Sequence, residues 1–288
     1  MDAALLQKKV KRLQLLSSKL VEGLLAGNYR SVFKGPGIEF DEAREYVEGD
    51  DARLIDWNVS SRLGSPFTKT FREERELTLF MIADVSASLG TGSTESSRRE
   101  TEAMIFAMLT FAAVQNNDRV GALFFSDEVE HWVAPVKGKK HTLRLIQDML
   151  SFEPEGRGSD LAKAIRTVGE SMKKRGVVVI LSDFKTSGYL RDLSILSRRH
   201  DVIAIKVTDP LDQEFPSSGL VHLEDPETGR STLAAGWSPK FRRSYREFWE
   251  HERARWFREC VERGVSPLEV FTDEDPASRI IQFFRRRA

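Results

Sequence analysis

The run Asp84-Val-Ser86-Ala-Ser88 places a carboxylate and two hydroxyls at alternating positions, directly behind the apolar stretch Leu77–Ala83. Much further along, a second apolar run, Val177–Leu181, ends in Ser182-Asp183. Between the two, Gly158-Ser159-Asp160 opens a helical pattern. Asp84 and Asp183 with the hydroxyls of Ser86, Ser88 and Ser159, and no His or Cys, make a hard-oxygen donor set, which favours Mg²⁺ or Mn²⁺ over zinc. Neutral hydroxyls leave such a cation under-neutralised, so it retains affinity for a carboxylate from outside. That is the chemistry of recognition. A plainer alternative is that these residues cap the helices that follow the strands. The alternating spacing behind one strand, with a second strand-terminal Asp, favours a shared site.

Such a site needs strands that end side by side. From residue 77 the hydrophobic rhythm supplies them. Strands are predicted at 77–83, 120–125, 177–181, 202–207 and 267–271, with a short edge strand at 129–133. Helices are predicted at 97–115, 141–151, 160–174, 188–198, 238–263 and 276–286. Val177–Leu181 is apolar throughout, which suits a parallel strand buried on both faces. Strand–helix alternation of this kind predicts an α/β fold, a Rossmann-like doubly wound, mostly parallel sheet with helices on both sides, and ligands at the strands' carboxyl ends. Residues 209–236, rich in Pro, Gly and Asp, read as a loop or hairpin insertion. We therefore expect an amino-terminal extension over 1–76 and an α/β domain over 77–288.

The chain has 288 residues, 40% of them apolar and 31% charged, which is enough for a sizeable core. Its 44 basic and 44 acidic residues cancel, which argues against a nucleic-acid coat. A single cysteine, Cys260, excludes a disulfide framework and a thiolate zinc site, and its helical position suggests core packing. The start MDAALLQKKVKRLQLL lacks a signal peptide's apolar region, and Ala103–Val114 is too short to span a bilayer. A cytoplasmic location is the expectation. Leu6, Val10, Leu13, Leu20 and Leu24 give a helical stripe over about residues 4–26. The five histidines are scattered without ligand spacing, and His200 ends a helix, where positive charge suits the dipole. In the helix at 238–263, Phe241, Tyr245, Phe248, Trp249 and Trp256 share a face expected to pack on the sheet. No phosphate-binding glycine loop is present.

The DVSAS motif, Ser159 and Asp183 resemble the metal-ion-dependent adhesion site of von Willebrand factor A domains, whose pattern is D-x-S-x-S, then Thr, then Asp, above a Rossmann-like sheet. The resemblance implies that Ser86 and Ser88 ligate the ion, that Asp84 and Asp183 act directly or through water, and that Ser159 stands in for Thr. The segment before it, GIEFDEAREYVEGDDARLIDWNVSSR followed by FREERE, resembles the signature of the bacterial "domain of unknown function 58" family. Together the resemblance covers about residues 10–210. It implies no enzymatic activity. It does imply a partner, a MoxR-type AAA+ ATPase, for which this protein would be an adaptor or co-chaperone-like subunit.

Residues 28–76 read as loops and short strands carrying alternating charge. Asp50, Asp51, Arg53, Asp56, Trp57 and Arg62 are expected either to contact a partner or to form an ion-paired collar. The expected function is thus a non-catalytic protein-interaction module that binds a partner carboxylate through Mg²⁺ or Mn²⁺, with the ion able to arrive together with the partner. Two alternatives stand beside it. One is a metal-dependent hydrolase or phosphatase using Asp84 and Asp183, although Ser86 occupies the place of the second carboxylate that phosphatases of this type use. The other is a metal-free scaffold.

Overall fold

The computed structural model describes residues 39–72, 77–90, 92–94, 96–217 and 219–287. The helix expected over 4–26 lies outside them. Chain contacts divide the described residues into two compact units, 39–72 and 77–287.

In the small unit, β1 (Glu39–Glu45) pairs antiparallel with β2 (Phe67–Arg72). The connection holds a 3-10 turn at Ala52–Leu54 and a short helix, α1 (Trp57–Leu63). Asp56 starts α1 by accepting the Asn58 and Val59 N–H groups, and Gly64 ends it at φ 77°. An Asp cap and a left-handed Gly are the ordinary start and stop of a helix, and they give a helix where loops and strands were expected.

The large unit begins with β3 (Thr78–Asp84) and α2 (Arg98–Gln115), followed by β4 (Arg119–Phe125) and β5 (Val129–Val136). Helices α3 (Lys139–Ser151) and α4 (Leu161–Ser171) lead to β6 (Val177–Ser182), α5 (Leu190–Arg199) and β7 (Asp201–Thr208). A hairpin of β8 (Leu220–Glu224) and β9 (Ser231–Ala235) fills the region read as an insertion. The long α6 (Pro239–Glu262), β10 (Ser266–Phe271) and α7 (Pro276–Arg287) complete the described chain. Six strands form one sheet in the order β10-β7-β6-β3-β4-β5. All neighbours are parallel except β5, which runs antiparallel to β4. The doubly wound, mostly parallel sheet expected from the sequence is the one observed.

Strand side chains alternate between two buried layers. Leu79, Met81 and Ala83 face a core with Ile105, Phe106 and Leu109 of α2, Ile146 of α3 and Phe284 of α7. Phe80 and Ile82 face the opposite core, with Ile165 and Val168 of α4, Leu193 of α5 and Trp256 and Cys260 of α6. Burial on both faces explains why these strands are continuously apolar. After β3 the chain moves outward to β4 and β5, then returns to the other side of β3 to form β6. The crevice at such a reversal, above the carboxyl ends of β3 and β6, is where open α/β sheets bind ligands.

His200 ends α5 as expected; it is 2% exposed, and burial pushes its imidazole below the ordinary range. One local expectation is corrected. The aromatic face of α6 packs on the sheet only in its carboxyl-terminal half, through Trp256. Nearer its start, Phe241 and Tyr245 close on Phe215, with ring centroids 5.1 and 5.2 Å away, and Phe248 is exposed.

Candidate functional site

Asp84 closes β3, and Ser182 and Asp183 close β6, its hydrogen-bonded neighbour, so the two acids meet at the reversal point of the sheet. Asp84 is fully buried. Its Oδ1 accepts the Ser86 N–H at 2.9 Å. Its Oδ2 accepts the Ser182 hydroxyl at 2.7 Å and the Ser159 hydroxyl at 3.0 Å. The chain then turns through a 3-10 segment at Ala87–Gly90, where the Ser86 and Ser88 Oγ atoms stand 3.1 Å apart. Ala87 N–H donates to the Arg157 carbonyl at 3.0 Å, tying this turn to the loop that carries Ser159. On the other side, Thr186 Oγ1 donates to the Ser159 carbonyl at 2.9 Å, tying that loop to the segment after β6.

The helices that follow are capped by other residues: Ser97 caps α2 in a reciprocal capping box with Glu100, and Asp160 caps α4 through the Lys163 N–H. Ser159 and Ser182 turn to Asp84 Oδ2, whereas Asp84 Oδ1 and Asp183 Oδ1 each accept the backbone N–H two residues on.

The electrostatics are unusual for a buried cluster. Burial, reinforced by the nearby Asp183 charge, pushes Asp84 up to about 6. Asp183 is 3% exposed; its Oδ1 accepts the Lys185 N–H at 3.1 Å, while its buried Oδ2 has no hydrogen-bond partner among the described residues. Behind Asp84, Glu102 of α2 accepts the Asp84 N–H at 3.1 Å and leaves its Oε2 without a partner among them. Burial and the Asp84 charge hold Glu102 well above the carboxylate range. Lys185 Nζ and Arg98 Nη2 both end on Asp212, each at 2.8 Å, while Arg98 Nη1 donates to the Ser88 carbonyl at 3.4 Å. Orphaned buried polar atoms are rare and call for an explanation. Asp84 and Asp183, close enough for Asp183 to raise Asp84, are an arrangement that a bound cation would relieve.

Among the described residues no three His, Cys, Asp or Glu side chains converge as a metal cage. The donor set is of another kind, two carboxylates with three hydroxyls, and the open Asp183 Oδ2 fits a hard divalent ion. Asp84, Ser86, Ser88, Ser159 and Asp183 are the residues that would hold it. Sequence reasoning passed over Ser182 and Glu102. Glu102 had a signal, since it is a lone acid on the apolar face of α2.

The other six candidates lie in the small unit. Asp50 accepts Arg44 Nη2 at 2.7 Å and the Val47 N–H at 3.0 Å. Asp51 caps the 3-10 turn and pairs with Arg53 at 2.8 Å. Asp56 caps α1 and lies 3.6 Å from Lys69. These acids shape local turns. Trp57, 72% exposed, and Arg62, also exposed, face solvent within this unit.

Residues 42–255 match the model of a family described as "Protein of unknown function DUF58". The chain belongs to this family. Its relatives include the uncharacterized protein Rv1480 of Mycobacterium tuberculosis (strain ATCC 25618 / H37Rv), 31% identical over 99% of this chain and 91% of the relative. They also include the uncharacterized protein MAV169 of Mycobacterium avium, 36% identical over 46% of this chain and 79% of the relative. Among solved structures, the DUF58 chain is similar to the conserved hypothetical protein BatB from Bacteroides thetaiotaomicron, at 15% identity and a TM-score of 0.49 over 73% of this chain and 98% of that one. The SpRpn10 VWA domain matches at 8% identity and a TM-score of 0.43, over 72% and 94% of the two chains. No helix among the described residues is long and apolar enough to cross a membrane.

Proposed function

We propose that this DUF58 protein is a non-catalytic, Mg²⁺- or Mn²⁺-dependent protein-interaction module, acting as adaptor or co-chaperone-like subunit to a MoxR-type AAA+ ATPase. The observation that carries the reading is the buried Asp183 Oδ2, without a partner beside Asp84 at the mouth of the sheet. Bound there, the cation supplies a Lewis-acid position for a carboxylate of the partner. The chain's own residues do the rest. Ser182 and Ser159 hold the Asp84 carboxylate in one orientation, Ser86 and Ser88 present two hydroxyls on a tight turn, and Glu102 fixes the backbone of Asp84 from behind. A site built mainly from neutral hydroxyls leaves positive charge uncompensated, which favours an acidic partner over a neutral one.

A pull-down of the tagged protein from native lysate, in Mg²⁺ and in EDTA, with wild type and Asp84→Asn, tests this reading. Recovery of an AAA+ ATPase by wild type in Mg²⁺, lost with EDTA and with the variant, is the expected result. Equal recovery in all conditions would remove the metal from the interaction. A panel of phosphate mono- and diesters with Mg²⁺ is expected to show no Asp84-dependent turnover. Such turnover would favour the hydrolase reading instead.

A further inference from the structure

Strand β7 breaks its own pattern near its end. Val202 and Ala204 face the core that holds Trp256 and Cys260 of α6, and strand alternation puts Lys206 and Thr208 next on that face. Lys206 is 7% exposed. Lysines are almost never buried this far unless they are paired. Its register partner on β10 is Glu269, another charged residue where an apolar one would serve the core.

Between these strands and α6 lies a cavity of about 160 Å³, whose walls include Lys185, Lys206, Asp212, Arg246, Trp249 and Glu269. The buried acids on its walls are already matched. Asp212 takes Lys185 and Arg98, each at 2.8 Å, and Glu269 takes the Thr208 hydroxyl at 2.9 Å and Arg253 Nε. Nearer solvent, Glu214 takes Arg246 Nη2 at 2.7 Å, and Glu250 is exposed. Of the basic side chains on the walls, Lys206 alone has neither an ion pair nor a hydrogen bond among the described residues. Its ammonium stands 5.6 Å from the centre of the Trp256 ring, a weak substitute for a counter-ion. Burial pushes Lys206 below the ordinary lysine range, against the pull of Glu269, Asp183 and Asp212.

A buried ammonium short of a partner, beside an open space, is an arrangement that an anion completes. A cavity of ~150 Å³ takes a molecule the size of benzene, about six non-hydrogen atoms. We propose that the cavity between α6 and the ends of β7 and β10 binds a small oxyanion, a carboxylate or a phosphate, through Lys206. Lys185 and Arg246 add positive charge on the same walls, and Trp249 gives a carbon skeleton an apolar surface. None of the wall residues is a proposed cation ligand, so this site stands independently of the one at Asp84.

The test is calorimetric titration of malonate and, separately, of inorganic phosphate into the full chain, for wild type, Lys206→Met and Lys140→Met. EDTA and constant ionic strength keep divalent ions and bulk screening out of the comparison. One saturable site in wild type is expected, with the preferred anion deciding between a carboxylate and a phosphate ligand. Lys206→Met, which keeps an unbranched apolar stem in the core, should bind about tenfold more weakly or worse. Lys140→Met, which removes an exposed charge, should bind as wild type does. Reductive methylation of wild type with formaldehyde adds a reading that needs no variant: the bound anion should slow labelling of Lys206 severalfold and leave Lys140 unaffected. No saturable binding of either anion, equal binding by Lys206→Met, or a Lys206 whose labelling the anions do not slow would overturn the proposal.

Discussion

Ser159 donates its hydroxyl to Asp84 Oδ2 at 3.0 Å across 75 residues of sequence, joining the loop before α4 to the end of β3. With Ser182 on the same oxygen at 2.7 Å and the Ser86 N–H on the other, this contact holds a fully buried carboxylate in place through hydroxyl and backbone donors. The site is thus ordered and poorly neutralised at once. The first two predictions follow from that combination.

Asp84→Asn should stabilise the metal-free protein. Burial and the Asp183 charge raise Asp84 in the folded state, so its ionised form opposes folding at neutral pH. An amide keeps the shape and removes the repulsion, for a gain on the order of 1 kcal/mol. Urea unfolding in EDTA at pH 7.5 measures it. A variant less stable than wild type would contradict the electrostatic argument.

Mg²⁺ should stabilise wild type and stabilise Asp84→Asn much less. A ligand at one hundred times its Kd adds about 2.7 kcal/mol, which in a domain of this size raises Tm by ~5 °C or more. Thermal unfolding with Mg²⁺ and with EDTA gives the comparison. Identical wild-type curves would argue for the metal-free scaffold.

Acid sensitivity should centre on Asp212. Its burial alone would raise it, but Lys185 and Arg98 outweigh burial and hold it below the usual carboxylate range. A lowered folded-state value means that its contribution is complete above the ordinary Asp range near 4 and is lost as pH falls below it. Asp212→Asn should therefore cost about 3 kcal/mol at neutral pH and flatten the acid limb of the stability profile below pH 4. A parallel downward shift at every pH would mean that Asp212 acts only through packing.

Gly176→Ala should destabilise by about 1–3 kcal/mol, as overpacking does. A Cβ there would lie 2.7 Å from the Thr78 carbonyl, a backbone atom of the neighbouring strand that cannot swing aside. Gly219→Ala, whose Cβ meets nothing within 4 Å, is the control. Equal unfolding midpoints for the two variants would refute the packing argument.

Much of this architecture is legible in the residues. Runs such as Val177–Leu181 are apolar on both faces because helices cover both sides of the sheet, and that burial writes itself into sequence. The five cluster residues were legible for a related reason: a strand end, a short spacing and an oxygen-rich composition coincide at Asp84. What could not be read depends on long-range placement. Nothing in Asp225–Gly229 indicates that its hairpin folds back so that Arg157 Nη2 reaches the Pro226 carbonyl at 2.8 Å. The amino-terminal half of α6 misled for the same reason, since Phe241 and Tyr245 share a face with Trp256 but meet Phe215 instead of the sheet.

The most direct test of the account is calorimetric titration of Mg²⁺ into the purified, metal-stripped protein, alongside Asp84→Asn and the double variant Ser86→Ala/Ser88→Ala. One saturable site in wild type is predicted, weakened at least tenfold in both variants, a change of about 1.4 kcal/mol or more. No binding by wild type, or equal binding by all three proteins, would contradict the claim that these residues hold a cation.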